Sequence, residues 1–326
     1  MKRTQKIEWL SILQGWSMLL VVLGHITLTN TFNDPQYPTA TLIEKIIYSF
    51  HMPLFIFISG YLFYSTKLKK GIKYQLVIKD KAIRLGIPFL FFTILTLIPK
   101  IVFAPLMKRP IPMDWNYLID VFILFKTNPL LEMWFIITLF ILMLLYPIYK
   151  LMLKQSITII GGIIVFTIIH LFNPHNIDLF QLSNVMKMGI FFWLGILFAH
   201  FNLIRFICKD FFLVIAALFI LSNILNTPLI IKNITGILFS LSFSVFISKY
   251  TSNIFSSFRD FTYQIYLMGI FFQMVIRYLF TSINHDFFYL PCYLISIIMG
   301  LYGPVLIIKC VQKIDNKYLN LCFGMK

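Results

Sequence analysis

The sequence predicts an all-α fold, a polytopic membrane bundle of about ten transmembrane helices with both termini on the cytoplasmic side. Three observations predict it. First, of 326 residues 59% are hydrophobic and only 12% charged, with a mean hydropathy of +0.85. An ordinary soluble domain is about 25% charged and needs that charge to cover its surface, so one large buried core does not explain this balance. Second, apolar stretches of spanning length recur from end to end. Third, the basic residues crowd into alternate joins between those stretches.

A spanning helix needs about 20 apolar residues. That template selects 7–28, 41–64, 82–104, 131–150, 156–172, 184–203, 211–226, 229–248, 261–281 and 289–309. The joins carry charge, Pro, Asn or Gly clusters; the thinnest is Asn226-Thr227-Pro228. With the N-terminus inside, most of the 28 basic residues fall on the cytoplasmic side: Lys2, Arg3 and Lys6, then Lys67 to Arg84, Lys150 and Lys154, Arg205 and Lys209, Lys249 and Arg259, and Lys309 to Lys326. An even number of crossings preserves that alternation. The formal charge of +16 therefore reads as topology-setting loops beside anionic lipid, not as a nucleic-acid surface.

Residues 1–326 are expected to form one integral-membrane domain. The first apolar run carries Glu8, Gln14 and His25 and no small-residue cleavage pattern, so it is expected to stay in the mature protein. The longest connections are the inner basic segment 65–81 and the outer segment 105–130. The latter contains Pro105, Pro110, Pro112, Pro129, Asp114, Trp115 and Asp120 and suits a re-entrant or interfacial piece. No repeat of 20–50 residues is visible.

Polar groups inside apolar spans are the candidate site. An ionisable ring in hydrocarbon is unfavourable enough to mark function by default, and two adjacent spans each carry one: His25 near the outer end of the first, His51 near the middle of the second. Counting residues puts the rings about 10 Å apart along the membrane normal. A neutral imidazole takes a proton from a hydroxyl and returns it; a histidine capped by a backbone carbonyl is the equal alternative. Gln14 lies eleven residues before His25 and shares its helix face, and Glu8 and Ser11 continue the stripe toward the cytoplasm, as a polar passage requires.

At the inner start of the third span, Lys79, Lys81 and Arg84 supply cations for the phosphates of a cytosolic cofactor, or simply anchor the span. Glu132, Lys187, Lys232 and Arg277 suit snorkelling as well as substrate contact. His170, His175, His200 and His285 fall near span ends or in loops. Cys208, Cys292, Cys310 and Cys322 show no CxxC or metal-ligand spacing, and no phosphate-binding loop, nucleophile elbow or zinc-protease motif occurs, so no metal is expected.

Several blocks together resemble acyltransferase family 3. They are Ile7-Glu8-Trp9 leading to Leu23-Gly24-His25; Phe50-His51-Met52-Pro53-Leu54-Phe55 with Ser59-Gly60-Tyr61-Leu62; Arg84-Leu85 with Pro88; Met133-Trp134-Phe135-Ile136; and Thr262-Tyr263-Gln264-Ile265-Tyr266-Leu267. The resemblance implies a ten-span enzyme that O-acylates sugars of bacterial surface glycans. It also implies His25 as catalytic base, with His51 beside it in the most specific blocks, and acetyl-CoA or another short acyl-CoA as donor, entering from the cytoplasm. Arg84, with Lys81 and Gln14, would contact the donor, and Glu8, Ser59, Trp134 and Tyr266 would line the cavity. Three positions depart from the family pattern: Gln14 where a cation is usual, Ser11 where Asp is frequent, and Gly269 where a histidine is common. The first two changes are charge-balanced.

The expectation is therefore a bacterial plasma-membrane O-acyltransferase whose partners are the bilayer and a glycan or lipid-linked sugar. Two rivals come from other classes: a transporter or flippase for a glycan or lipid intermediate, and a non-catalytic subunit of a glycan-export assembly.

Overall fold

A computed structural model of the chain describes residues 7–26, 38–102, 114–124, 128–174, 177, 179–207, 211–281 and 288–325. Cys208, His175, His285, Lys209, the basic residues before Ile7, Lys326, and Pro105, Pro110 and Pro112 lie outside the described residues.

Backbone in hydrocarbon must satisfy its own N–H and C=O groups, which an α-helix does within one segment. The described residues accordingly form α1 Glu8–Gly24, α2 Pro38–Tyr48, α3 His51–Phe63, α4 Tyr74–Lys81, α5 Ile87–Val102, α6 Trp115–Ile123, α7 Trp134–Leu144, α8 Tyr146–Met152, α9 Ser156–Leu171, α10 Leu182–His200, α11 Phe212–Ile224, α12 Leu229–Ser248, α13 Thr262–Thr281, α14 Tyr289–Ile314 and α15 Lys317–Cys322. The extended pairing among them is one isolated antiparallel bridge, Leu124 to Leu179.

Each of the ten apolar segments contains a helix, but the helices differ in reach. Six are long and apolar enough to cross a membrane: Leu42–Leu68, Tyr74–Val102, Leu182–His200, Leu229–Ser248, Arg259–Phe280 and Tyr289–Ile314. A seventh crossing results if α7 and α8 count as one span bent by 50°. The bend falls at Tyr146-Pro147, where proline starts the new helix and donates no N–H to the old one. The shorter apolar helices α1, α9 and α11 have 17, 16 and 13 residues. Within the outer connection, α6 is capped by Asp114, whose Oδ1 accepts from the Asn116 N–H at 3.3 Å.

The chain divides into two compact units, Met1–Phe55 with Leu203–Asn316, and Ile56–Asn202 with Lys317–Lys326. In the first, α1 packs against α2, α12, α13 and α14. Its core joins Met18, Val21 and Val22 of α1 to Ile265 of α13 and Leu301 and Val305 of α14.

In the second, α10 packs against α7 and α9. The backbones of α3 and α10 touch at two glycines: a Cβ on Gly60 would strike the Phe192 carbonyl oxygen, and one on Gly195 would strike that of Phe57. Small residues permit such approaches, which replace the hydrophobic driving force that lipid removes. Beside them Tyr149 and Trp193 stack at 5.7 Å and 16°, flanked by Phe166 and Phe192.

Candidate functional site

The first unit holds both histidines, and the helix ends determine where they sit. Helix α1 stops at Gly24, and the His25 N–H still reaches the Val21 carbonyl at 3.1 Å. Against this last turn lies the rod Leu42–Leu68. A Cβ on Gly24 would lie 3.3 Å from Ile47 Cγ2, 3.5 Å from the Tyr48 ring and 4.0 Å from His51 Cε1, so glycine lets the rod come this close. His51 is therefore level with the end of α1. The part of the rod from Leu42 to His51, about 14 Å at 1.5 Å per residue and carrying Glu44 and Lys45, extends beyond that level. Counting had put His25 at the outer rim, about 10 Å from the level of His51; a short α1 against a longer rod brings the levels together instead.

The Tyr48 ring touches both imidazoles. It is edge-on to His51 at 5.0 Å and 84°, and edge-on to His25 at 6.4 Å and 84°. His51 is 1% exposed, and its Nδ1 lies 2.8 Å from the Ile47 carbonyl. A carbonyl oxygen only accepts, so Nδ1 carries a proton, and in the neutral ring Nε2 keeps its lone pair. Of the two alternatives posed above, the carbonyl cap is the one the contacts of His51 display.

The backbone around the histidines is freed by helix breaks and satisfied by side chains from other helices. Pro53 has no N–H for the Ser49 carbonyl four residues back. The Asn233 amide, turned so that its nitrogen faces acceptors, donates to that carbonyl from α12. Because α1 ends at Gly24, its last carbonyls lack helical partners; Gln273 Nε2 donates to the Val22 carbonyl at 2.8 Å. Trp16 Nε1 donates to Ser240 Oγ at 3.2 Å, tying α1 to α12.

Of the other candidates in this unit, Tyr266 packs on the α1–α14 core alongside Met52 and Phe55. Gln14 is half-buried, and its backbone carbonyl accepts from Ser17 Oγ at 2.9 Å. Glu8 is exposed in the first turn of α1, where a carboxylate also suits the helix dipole. Arg259 lies against the neighbouring Gly15: a Cβ there would be 3.1 Å from Arg259 Cβ. The Arg259 Nη1 donates to the Ser252 and Ile254 carbonyls at 2.7 and 3.3 Å, while its buried Nε finds no acceptor among the described residues.

The second unit holds Ser59, Lys81, Arg84 and Trp134. Ser59 is half-buried beside Gly60. Lys81 ends α4, and Arg84 is exposed in the π-helical turn Ala82–Gly86. That turn packs on α7, the helix that Trp134 begins. Nearby, Lys67 pairs with Asp80 at 2.7 Å.

Tyr48, Gln273, Asn233 and Arg259 were missed from the sequence. Gln273 and Asn233 had a legible signal, since each is a polar amide deep in an apolar run. Tyr48 had none, because tyrosine near a span end is ordinary.

Residues 7–309 match the family model of acyltransferase family 3, described as an acyltransferase domain. Over 79 residues the chain is 38% identical to nodulation protein NolL of Sinorhizobium fredii (strain NBRC 101917 / NGR234). That alignment covers 24% of this chain and 21% of NolL, so the chain matches about a fifth of that relative's length. No solved structure matches. With the family model spanning nearly the whole chain, the protein belongs to acyltransferase family 3.

Proposed function

We propose that this acyltransferase is an integral-membrane O-acyltransferase that moves an acetyl or other short acyl group from acyl-CoA to a sugar hydroxyl of a cell-surface polysaccharide or lipid-linked glycan. Family membership supplies the reaction class. The observation that carries the residue assignment is the meeting of two imidazoles at Tyr48, one of them with its protonated nitrogen held by the Ile47 carbonyl.

In this reading His25 is the general base. It takes the hydroxyl proton as the acceptor oxygen attacks the thioester carbonyl, forming the new C–O bond. Collapse of the tetrahedral adduct breaks the C–S bond, and the proton passes to the departing thiolate. General-base assistance of this kind contributes about 10²- to 10⁴-fold. His51 contributes a neutral ring with Nε2 as a hydrogen-bond acceptor; Nδ1 cannot serve, because it is spent on Ile47. Lys81 and Arg84 supply cations of the type that hold a donor's phosphates, with Gln14 as a further donor contact. Glu8, Ser59, Trp134 and Tyr266 are the proposed cavity residues.

The same proposal includes one functional domain over 1–326, ten crossings, both termini in the cytoplasm and a bacterial plasma-membrane location. The family match running through both compact units supports a single domain. The topology has support in the second unit, where two segments assigned to the inner face lie together: the Tyr74 hydroxyl donates to the Leu144 carbonyl at 3.0 Å, and the Tyr146 hydroxyl to the Ile72 carbonyl at 2.8 Å.

Purified protein given radiolabelled acetyl-CoA and a lipid-linked glycan tests the reaction. Label in the glycan, lost in His25→Ala, is the expected result. Movement of glycan across vesicle membranes without thioester cleavage would instead mean transport.

A further inference from the structure

The second unit contains a cleft that the reading above does not use. It has a volume of about 460 Å³ and lies between the turn after the π-helical Tyr64–Leu68 segment and helix α8. Three lysines stand around it: Lys73 from the turn, and Lys150 and Lys154 from α8 and just beyond it. Among the described residues none of the three forms an ion pair, whereas Lys67, in the same basic segment, is neutralised by Asp80. Three like charges around one opening repel one another and are relieved by an anion.

The floor is apolar and rigid. Tyr146 is 2% exposed, and Tyr74 stacks on it at 6.1 Å and 18°. Both hydroxyls are spent on backbone, Tyr74 on Leu144 and Tyr146 on Ile72, so the two rings are tied in place and Tyr74, 37% exposed, is the one open to a ligand. Leu151, 59% exposed, extends this surface along α8. Gly71, with φ +60°, supplies the left-handed residue that turns the chain into Lys73.

We infer that this cleft binds a phosphorylated ligand, its phosphates held by Lys73, Lys150 and Lys154 and its apolar or ring-bearing body lying on Tyr74 and Leu151, with Tyr146 backing the Tyr74 ring. Ammonium groups serve phosphate as point charges that need no fixed geometry. Two sources carry this chemistry to the inner face: the nucleotide end of a soluble thioester donor, and the headgroup of an anionic lipid with its chain along Leu151. The phosphate site stands without acyl transfer; only the nucleotide as its occupant rests on that reading.

The test compares wild type, the alanine triple K73A/K150A/K154A and the arginine triple K73R/K150R/K154R in zwitterionic nanodiscs. Coenzyme A is titrated calorimetrically, and phosphatidylglycerol retention is measured by native mass spectrometry. For one of the two probes, the alanine triple is expected to bind at least tenfold more weakly, the arginine triple close to wild type, and wild type to weaken as salt rises. Loss confined to coenzyme A identifies the nucleotide; loss confined to phosphatidylglycerol identifies the lipid. Equal binding of both probes by wild type and alanine triple, or no binding of either by wild type, overturns the inference. Neither probe turns over, so a protein that transfers no acyl group yet shows the lipid loss sinks the enzymatic reading and keeps the cleft. Full turnover with unchanged affinities sinks the cleft alone.

Discussion

The surroundings of the histidines in the first unit and the α3–α10 contact in the second are built by different means. Around the histidines, the first unit breaks its helices and repairs the freed backbone with side chains: Asn233 on Ser49 and Gln273 on Val22. The α3–α10 contact of the second unit is closed by shape, with glycines letting the backbones touch and a packed aromatic stack around Trp193. Even its buried Tyr149 hydroxyl and Trp193 N–H lack partners among the described residues. A region held by specific polar bonds can position a reacting proton, and a region held by shape can serve as a frame.

The contrast is sharpest in a pair of activity and stability measurements. His25→Ala should lower acyl transfer at least 100-fold with little change in thermal unfolding, because the ring is only part-buried at the end of α1. Retention of more than a tenth of wild-type turnover would remove His25 as base.

Next in size are glycine substitutions in the second unit. Gly195→Ala or Gly60→Ala drives a methyl into a backbone carbonyl, and overpacking of this kind costs about 1–3 kcal/mol. Gly161→Ala on α9, with nothing within 4 Å of the new carbon, should be neutral or slightly stabilising. Equal melting temperatures for the three variants would show that the close approach carries no stability.

Gln273→Leu should lower stability by about 1 kcal/mol, the scale of one lost hydrogen bond inside a bundle. It should lower turnover by a larger factor than it lowers melting, because it frees the carbonyl three residues before His25. A loss of stability with full turnover would make Gln273 a packing residue alone. The smallest effect is expected from Ser240→Ala, which leaves the Trp16 ring contacts with Phe239 and Phe243 in place and removes the acceptor of the 3.2 Å Trp16 bond, about 0.5 kcal/mol by thermal unfolding.

Much of the fold was legible because bilayer physics is written in one dimension: apolar length reports a helix, and the basic joins report its ends. The His25 and His51 blocks were legible for the same reason, as polar rings in runs that should hold none. Helix length was less so. The runs beginning at Ile7 and Phe211 read as full spans, yet α1 stops at Gly24 and α11 at Ile224.

What the sequence determined by itself is therefore composition, helical class and the identity of the two histidines, because each follows from local hydropathy. Only the tertiary structure decided that a short α1 lies against a longer rod, that Tyr48 touches both rings, and that Gln273 and Asn233 bond the carbonyls that the helix breaks leave open. The reason is physical: these contacts join residues far apart in the chain, such as Val22 with Gln273 and Ser49 with Asn233, and no local pattern encodes which freed carbonyl meets which amide.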